Sequence, residues 1–378
     1  MRFETKAIHF GQKPDVVTGA VIVPVYQTST YEQEEIGKHK GYEYSRTGNP
    51  TRKVLEDVIA ALEDGKYGLA FASGLAAENA VFQLLKKDDH VIVGSEIYGG
   101  TYRLLEKVFK PWGLEISFVD VDDINNFKSA IKKNTKLIWV ETPTNPLLKI
   151  INIRNLSKIS KDNNVLLAVD NTFATPYFQK PLNLGADIVV HSTTKYISGH
   201  SDIIGGAVVT SDEEIYESLK FYQNAAGAVP GPWDCWLILR GIKTLVIRMK
   251  EHEKNALYLA KHLEKHPKIE RVHYPGLKND IGHKIAKEQM SGFGGMISFE
   301  IKGGFNNIEK FISKLKIFTL AESLGGVESL VSYPSKMTHS SIPIKEREKL
   351  GIKDNLIRLS VGIEHKKDLL EDLIKSLK

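Results

Sequence analysis

The chain has 378 residues, 42% of them apolar and 26% charged, with 30 Gly, 14 Pro and a single Cys. That length and balance exclude disordered, collagen-like and disulfide-stapled classes and point to two or three domains around a sizeable core. A formal net charge of +5, with no run of five like charges, gives no basic field of the kind that holds nucleic acid.

The first ten residues include Glu4 and lack an apolar stretch of signal-peptide length. No run of about 18 apolar residues follows, so no membrane span is expected. The lone Cys235 has no internal partner, which fits a reducing, cytoplasmic setting, and it reads as a small core residue.

Residues 1–45 lack strong periodicity and read as an extended arm. Asn49-Pro50-Thr51 then opens a helix, Asn as cap and Pro at the first position, with Val54, Leu55, Val58, Ile59 and Leu62 on one face. Short apolar runs follow at Gly68–Ala72, His90–Gly94, Glu115–Val119, Leu137–Val140, Val165–Val169, Asp187–Val190 and Gly206–Thr210. Amphipathic stretches such as Thr101–Lys110 and Ile153–Asp162 separate them. This alternation predicts an α/β fold with a seven-stranded, mostly parallel, helix-covered sheet. Beyond residue 246 a long helical pattern (Thr244–His266) precedes β-like Gly295–Ile301, a helix near Asn307–Leu315, strand-like Leu356–Gly362 and a last helix, Lys367–Leu377. The expected division is an arm over 1–45, a larger domain over 46–246 and a smaller α/β domain over 247–378. His252, His262 and His266 share the Lys- and Glu-rich helical pattern and are expected to be solvated, with no spacing that suggests a metal site.

Sheets of this kind bind ligands beyond the carboxyl ends of their strands. Here those ends read Ser73-Gly74-Leu75, Glu141–Asn145, Asp170-Asn171 and Ser192-Thr193-Thr194-Lys195. One rim thus gathers a helix start, an amide, a carboxylate, hydroxyls and an amine. Gly74 opens a helix whose free N–H groups suit an anion. Ala77 and Glu78 stand where a dinucleotide fingerprint needs further glycines, which disfavours the rival class, a nicotinamide- or nucleotide-binding α/β protein. Read alone, Ser192–Thr194 is a polar turn, Lys195 a surface lysine and Asp170 a strand cap.

Taken together, Tyr44–Arg52, Glu141–Pro146, Asp170–Phe173, Ser192–Asp202, Asn224–Cys235, Glu322–Gly326 and Arg358–Gly362 resemble the Cys/Met-metabolism family of pyridoxal-phosphate enzymes, in order and over nearly the whole chain. The resemblance implies fold type I, the aspartate-aminotransferase-like architecture, and homotetramers built as dimers of dimers with active sites shared between two chains. It implies Lys195 as the Schiff-base lysine, Asp170 as the partner of the pyridine nitrogen, and Gly74, Leu75, Ser192 and Thr194 as the phosphate cup. Tyr44 and Arg46 of a neighbouring chain complete that cup, and Tyr98 stacks on the ring and serves as a base. Arg358 clamps the substrate α-carboxylate, helped by Asn145 and Ser323.

The family's reactions are replacement or elimination at the β- or γ-carbon of sulfur amino acids. Gly100 stands where methionine γ-lyases carry Cys, which demotes methionine cleavage. Glu43, Arg103 and Glu322 match positions that face the distal ammonium and carboxylate of cystathionine. The insertions of homoserine sulfhydrylases are missing. The expected activity is therefore cystathionine γ-synthase, joining cysteine to an O-acylhomoserine. The alternative is cystathionine γ-lyase, releasing cysteine, 2-oxobutanoate and ammonia. A non-catalytic interaction protein that kept the fold is disfavoured by Lys195, Asp170 and Arg358 standing together.

Overall fold

The computed structural model describes residues 1–340 and 343–378. Seven strands form the larger sheet: β1 (Tyr67–Phe71), β2 (His90–Gly94), β3 (Glu115–Val119), β4 (Thr135–Glu141), β5 (Leu166–Asp170), β6 (Ile188–His191) and β7 (Gly206–Thr210). Their spatial order is β1-β7-β6-β5-β4-β2-β3. From β3 to β6 neighbours run parallel, while β7 is antiparallel to both β6 and β1. The expected mostly parallel α/β sheet is therefore present.

Why these runs are strands follows from their burial. β2, β6 and β7 are buried at every position, as strands covered by helices on both faces require. On one face Phe82, Phe109 and Trp139 pack together, the Phe82 and Trp139 rings 4.8 Å apart. On the other, Leu55, Ile59, Val189 and Val209 share a cluster with Cys235, which is buried as expected.

Helix α1 (Pro50–Leu62) is capped as its sequence suggested: the Asn49 carboxamide accepts from the N–H groups of Thr51 and Arg52. Before it, the arm contains a short helix, Phe3–His9, and a small hairpin of Gln33–Glu35 with Lys38–His39, so it is only partly extended. Between residues 23 and 26 the arm is tied to the body: the Trp236 indole donates to the Val23 carbonyl at 3.0 Å, and the Thr51 hydroxyl to the Pro24 carbonyl at 2.9 Å.

Five strands form the second sheet: β8 (Ile269–His273), β9 (Met296–Ile301), β10 (Thr319–Leu320), β11 (Leu330–Ser332) and β12 (Leu356–Ser360), in the order β8-β9-β12-β11-β10. Helix α3 (Leu245–Leu263) packs onto it through Ala256, Leu259, Ala260 and Leu263. That face corrects the expectation for His252, which is fully buried rather than solvated. Its Nδ1 lies 2.6 Å from the Val361 carbonyl oxygen, and its ring meets Tyr196 edge-on. Burial holds its imidazole down at about 4. The helix uses Arg248, His252 and Asn255, one turn apart, to satisfy backbone carbonyls of neighbouring loops, a task the hydrophobic pattern does not reveal. His262 and His266 lie outside this buried face. Among the described residues, no helix is long and apolar enough to cross a membrane.

Candidate active site

The carboxyl ends of β1, β2, β4, β5 and β6 open onto one cavity of about 500 Å³, lined also by Arg358 of the second sheet and by Glu322–Leu324 and Thr338 of the loops around it. At its inner end helix α2 (Gly74–Phe82) begins, with the Ser73 hydroxyl accepting from the Ala76 N–H at 3.0 Å. The Gly74 and Leu75 N–H groups precede the first helical carbonyl that could accept from them, so both remain free for an anion. Glycine is required here by close approach: a Cβ at position 74 would lie 2.8 Å from the Ser192 Cβ.

Ser192 and Thr194 line the same end. Thr194 Oγ1 accepts from the Gly205 N–H at 2.9 Å and donates to the Gly205 carbonyl at 3.2 Å, fixing the turn that leads into Lys195. Lys195 projects into the cavity and donates from Nζ to the Ser323 hydroxyl at 2.7 Å. Burial, with the Arg358 charge nearby, brings its ammonium down to about 8, partly opposed by Glu322. A lysine poised there supplies a free amine near neutral pH.

Asp170 ends β5 and is 7% exposed, accepting the Thr172 N–H at 2.9 Å. Burial pushes its carboxyl up, and Thr172 and His191 oppose the shift. Tyr98 leads into the short helix Gly99–Leu104, with its backbone N–H held by Glu141 Oε2 at 2.8 Å. Gly100 lies directly beneath the Tyr98 ring, where a Cβ would come within 2.3 Å of Cε1. The glycine used above to demote methionine cleavage therefore acts first on the placement of Tyr98.

Arg358, in the middle of β12, is 2% exposed. Its Nη1 donates to Asn145 Oδ1 at 2.8 Å and its Nη2 to the Ser323 carbonyl at 3.2 Å, while Nε is buried without a partner. The guanidinium is thus held as a fork with donors left over, which suits a carboxylate. Ser323 takes a positive φ of 87°, turning its hydroxyl to Lys195 and its carbonyl to Arg358.

One cavity therefore gathers Gly74, Leu75, Tyr98, Asn145, Asp170, Ser192, Thr194, Lys195, Glu322, Ser323 and Arg358. Amides at one end, an amine in the middle and a buried carboxyl beyond fit pyridoxal phosphate. A family model for the Cys/Met-metabolism PLP-dependent enzymes matches residues 4–378. The chain belongs to that family. It is 54% identical to the cystathionine beta-lyase of Coxiella burnetii over 376 residues, 99% of this chain and 97% of that one. It is also 54% identical to the cystathionine gamma-lyase of Bacillus subtilis over 377 residues, 100% and 99% of the two chains. A solved structure of cystathionine gamma synthase from Xanthomonas oryzae pv. oryzae superposes with a TM-score of 0.98 at 41% identity, covering 100% of this chain and 98% of that one.

A family of PLP-dependent enzymes makes the protein an enzyme and pyridoxal phosphate its cofactor. Four of the expected residues stand outside the cavity's lining. Arg103 is exposed on the Gly99–Leu104 helix, close enough for its charge to act on Tyr98. Tyr44, Arg46 and Glu43 are exposed on the arm, with the Arg46 guanidinium 5.5 Å from the Tyr44 ring and Glu43 3.6 Å from His39. Within one chain, then, Glu43, Arg103 and Glu322 are not brought to a common point. The cavity wall also contains two carboxyls to which the sequence alone assigned no role, Glu78 and Glu141. Glu141 ends β4 directly opposite Asp170 on β5, and that strand register was the signal that could have found it.

Proposed function

We propose that the protein performs γ-carbon chemistry on sulfur amino acids of the cystathionine type, joining cysteine to an O-acylhomoserine in the manner of a cystathionine γ-synthase. The observation that carries this reading is the pairing of Arg358 with Lys195 through Ser323, a carboxylate fork and a low-pKa amine set one residue apart in the same cavity.

Pyridoxal phosphate, when bound, supplies an electron sink for charge developing on the substrate's α-carbon. Gly74, Leu75, Ser192 and Thr194 would hold its phosphate, and Asp170 would serve as the nitrogen's partner. Lys195 would anchor the cofactor, and its Nζ amine would take the α-proton and then a β-proton, so that the acyl group can leave the γ-carbon as a carboxylate and the cysteine thiol, giving up its proton, can bond there. Ser323 holds that amine at rest by a hydrogen bond and keeps it aimed into the cavity. Arg358 and Asn145 fix the substrate's α-carboxylate, so the bond to be broken is set relative to Nζ. Tyr98, whose hydroxyl burial pushes up from its ordinary value, would cover the bound cofactor and orient the incoming amino group, a role that burial favours over the expected one of base. Glu322, on the cavity's open side, offers a carboxylate to the distal ammonium of cysteine or cystathionine. Tyr44 and Arg46, exposed on the arm, are proposed to serve the phosphate of a second subunit in a homotetramer, with Glu43 at that subunit's substrate entrance and Arg103 at the entrance of its own chain's cavity.

Cleavage of cystathionine at the same carbon is the second reading, favoured by the relative named a gamma-lyase. An assay panel with cystathionine, methionine, O-acetylhomoserine and O-succinylhomoserine, with and without cysteine, tests the choice. The synthase reading expects ester-plus-cysteine condensation to outrun cystathionine breakdown, and methionine to be a poor substrate. Breakdown that outruns condensation replaces it with the lyase reading, and methionine cleaved as well as cystathionine overturns the assignment of the distal charges.

A further inference from the structure

Two stretches that stood out in the sequence have residues with no place in the cavity's lining: Arg52, at the end of Tyr44–Arg52, and Asn224 and Gly227, from Asn224–Cys235. They meet around the turn that displays Tyr44 and Arg46.

The side chains of Tyr44 and Arg46 are exposed, yet the backbone beneath them is closed on itself and on the arm. The Tyr44 carbonyl accepts the N–H groups of Thr47 and Gly48, each at 3.0 Å, and the Ser45 N–H donates to the Ser29 carbonyl at 2.9 Å. Under this turn lies Arg52, in the first turn of α1 and 2% exposed. Its Nη1 donates to the Ser45 carbonyl at 2.7 Å and its Nη2 to the Arg46 carbonyl at 2.9 Å. One planar fork thus grips two successive peptide groups, which a lysine ammonium cannot do.

The grip is anchored in the body. Glu56 Oε1 lies 3.6 Å from the Arg52 Nε and itself accepts from the Ala70 N–H of β1 at 3.0 Å and the Gln223 amide at 2.9 Å. From the other side, the Thr47 hydroxyl donates to Asn224 Oδ1 at 3.0 Å. Gly227 ends the helix Glu213–Ala226 at a φ of 75°, and a Cβ there would come within 3.3 Å of the Arg46 Cδ. The stem of Arg46 therefore leaves a pinned backbone and passes over a glycine, and only its charged end is left to its surroundings.

Burying a guanidinium and a carboxylate is costly, and a bare surface turn has no need of such a clamp. A turn that must meet a second body does, because backbone ordered beforehand is not ordered at the expense of the contact.

We propose that Arg52 is a positioning residue that acts in trans: by fixing the Ser45 and Arg46 peptides it sets the base of the Arg46 side chain for the cofactor phosphate of a neighbouring subunit. This rests on the reading in which the arm completes that neighbour's phosphate cup. A defect at Arg52 is then felt in the adjoining site and not in the cavity of the chain that carries it.

The test uses cofactor-free full chains of wild type, Arg46→Ala, Arg52→Lys and Lys195→Ala. Arg52→Lys keeps a positive charge beside Glu56 and lacks the fork. Affinity is read at pH 7.5 as the free pyridoxal phosphate that half-fills Lys195, scored by borohydride fixation and peptide mapping. Arg52→Lys should need about three- to tenfold more cofactor than wild type, and no more than Arg46→Ala. Each variant is then mixed with excess Lys195→Ala under conditions shown to exchange subunits. Its lysine is now served by an intact neighbouring arm, and the Lys195→Ala chain contributes no label. Half-filling should return to within about twofold of wild type for both Arg46→Ala and Arg52→Lys.

Two results overturn the proposal. One is Arg52→Lys filling like wild type. The other is Arg52→Lys staying weak on mixing while Arg46→Ala recovers, which would make the clamp a support of its own chain's cavity. Should Arg52→Lys not fold, the charge-free combination of Arg52→Met with Glu56→Gln takes its place in the same comparison. Failure of Arg46→Ala to recover overturns the shared-site reading itself, and that control tells the two failures apart.

Discussion

Arg358 and Arg46 are both guanidinium groups expected to face an anion, yet their surroundings are opposite. Arg358 is 2% exposed, its fork fixed by Asn145 and Ser323 and its Nε sealed in the wall. Arg46 is exposed on the arm, beside the ring of Tyr44. A buried, bonded arginine is ready before any ligand arrives, its rotamer entropy already lost in folding. An exposed one gains its geometry only from a surface that covers it. The contrast teaches that one chain builds the Arg358–Asn145 fork completely and presents part of the proposed phosphate side outward.

The hardest break in this comparison is on the interior side. Lys195→Ala should lower turnover by at least about 10³-fold, since it removes both the anchor and the proton carrier, while leaving the thermal unfolding of the cofactor-free protein close to wild type. Near-normal turnover in that variant would remove Lys195 from the mechanism.

Arg358→Ala follows. It deletes two charge-assisted donors and should cost roughly ten- to a hundred-fold or more in kcat/KM, with part of the loss in stability because Asn145 loses its buried partner. Arg358→Lys should recover little, because a single ammonium cannot replace the fork.

On the exposed side the expected effect is smaller and of a different kind. Arg46→Ala should weaken cofactor retention about tenfold without altering the melting of the cofactor-free chain. Mixed with Lys195→Ala under conditions that exchange subunits, it should regain roughly a quarter of wild-type activity, since half of the dimers are hybrid and each has one intact site. If exchange is demonstrated and nothing is regained, each chain completes its own site and the contrast between the two arginines loses its meaning.

The gentlest probe is pH. Lys195 has a folded value near 8, below its ordinary 10.5, so the uncharged amine is already half populated there. Cofactor uptake by the cofactor-free protein, followed by visible absorbance, should rise with pH to a half-maximum near 8 and then level off. An uptake that keeps climbing past pH 10 would mean an ordinary solvated lysine.

Much of this was legible because alternation and strand-end chemistry are written locally. His90–Gly94, Glu115–Val119 and Gly206–Thr210 are strands with the bounds their apolar runs suggested, since flanking polar residues and turns stop each run. The strand ends that carry Gly74, Ser192, Thr194 and Lys195 were legible for the same reason, whereas the roles expected of them came only from the family resemblance. What escaped depends on distant neighbours. Glu78 on a short helix reads as a solvent-facing acid, and only the docking of α2 against β6 and β7 buries it near Asp170. His252 escaped likewise, its partner being a carbonyl 109 residues away. The stretch Thr101–Lys110 reads as one amphipathic helix, whereas the chain there widens into a π-turn over Leu105–Phe109, which local spacing does not announce.

The bond between Arg358 and Asn145 joins the middle of the second sheet to the loop that leaves the first. Two further ties cross at the same place: the Ser298 hydroxyl donates to the Pro146 carbonyl at 2.6 Å, and His339 Nε2 lies 3.1 Å from the Asn145 carbonyl oxygen. A substrate carboxylate received by Arg358 and Asn145 would therefore be a fastener as well as a cargo. It would add a rivet to the seam between the sheets, so that a loose seam and a poor grip would be the same defect.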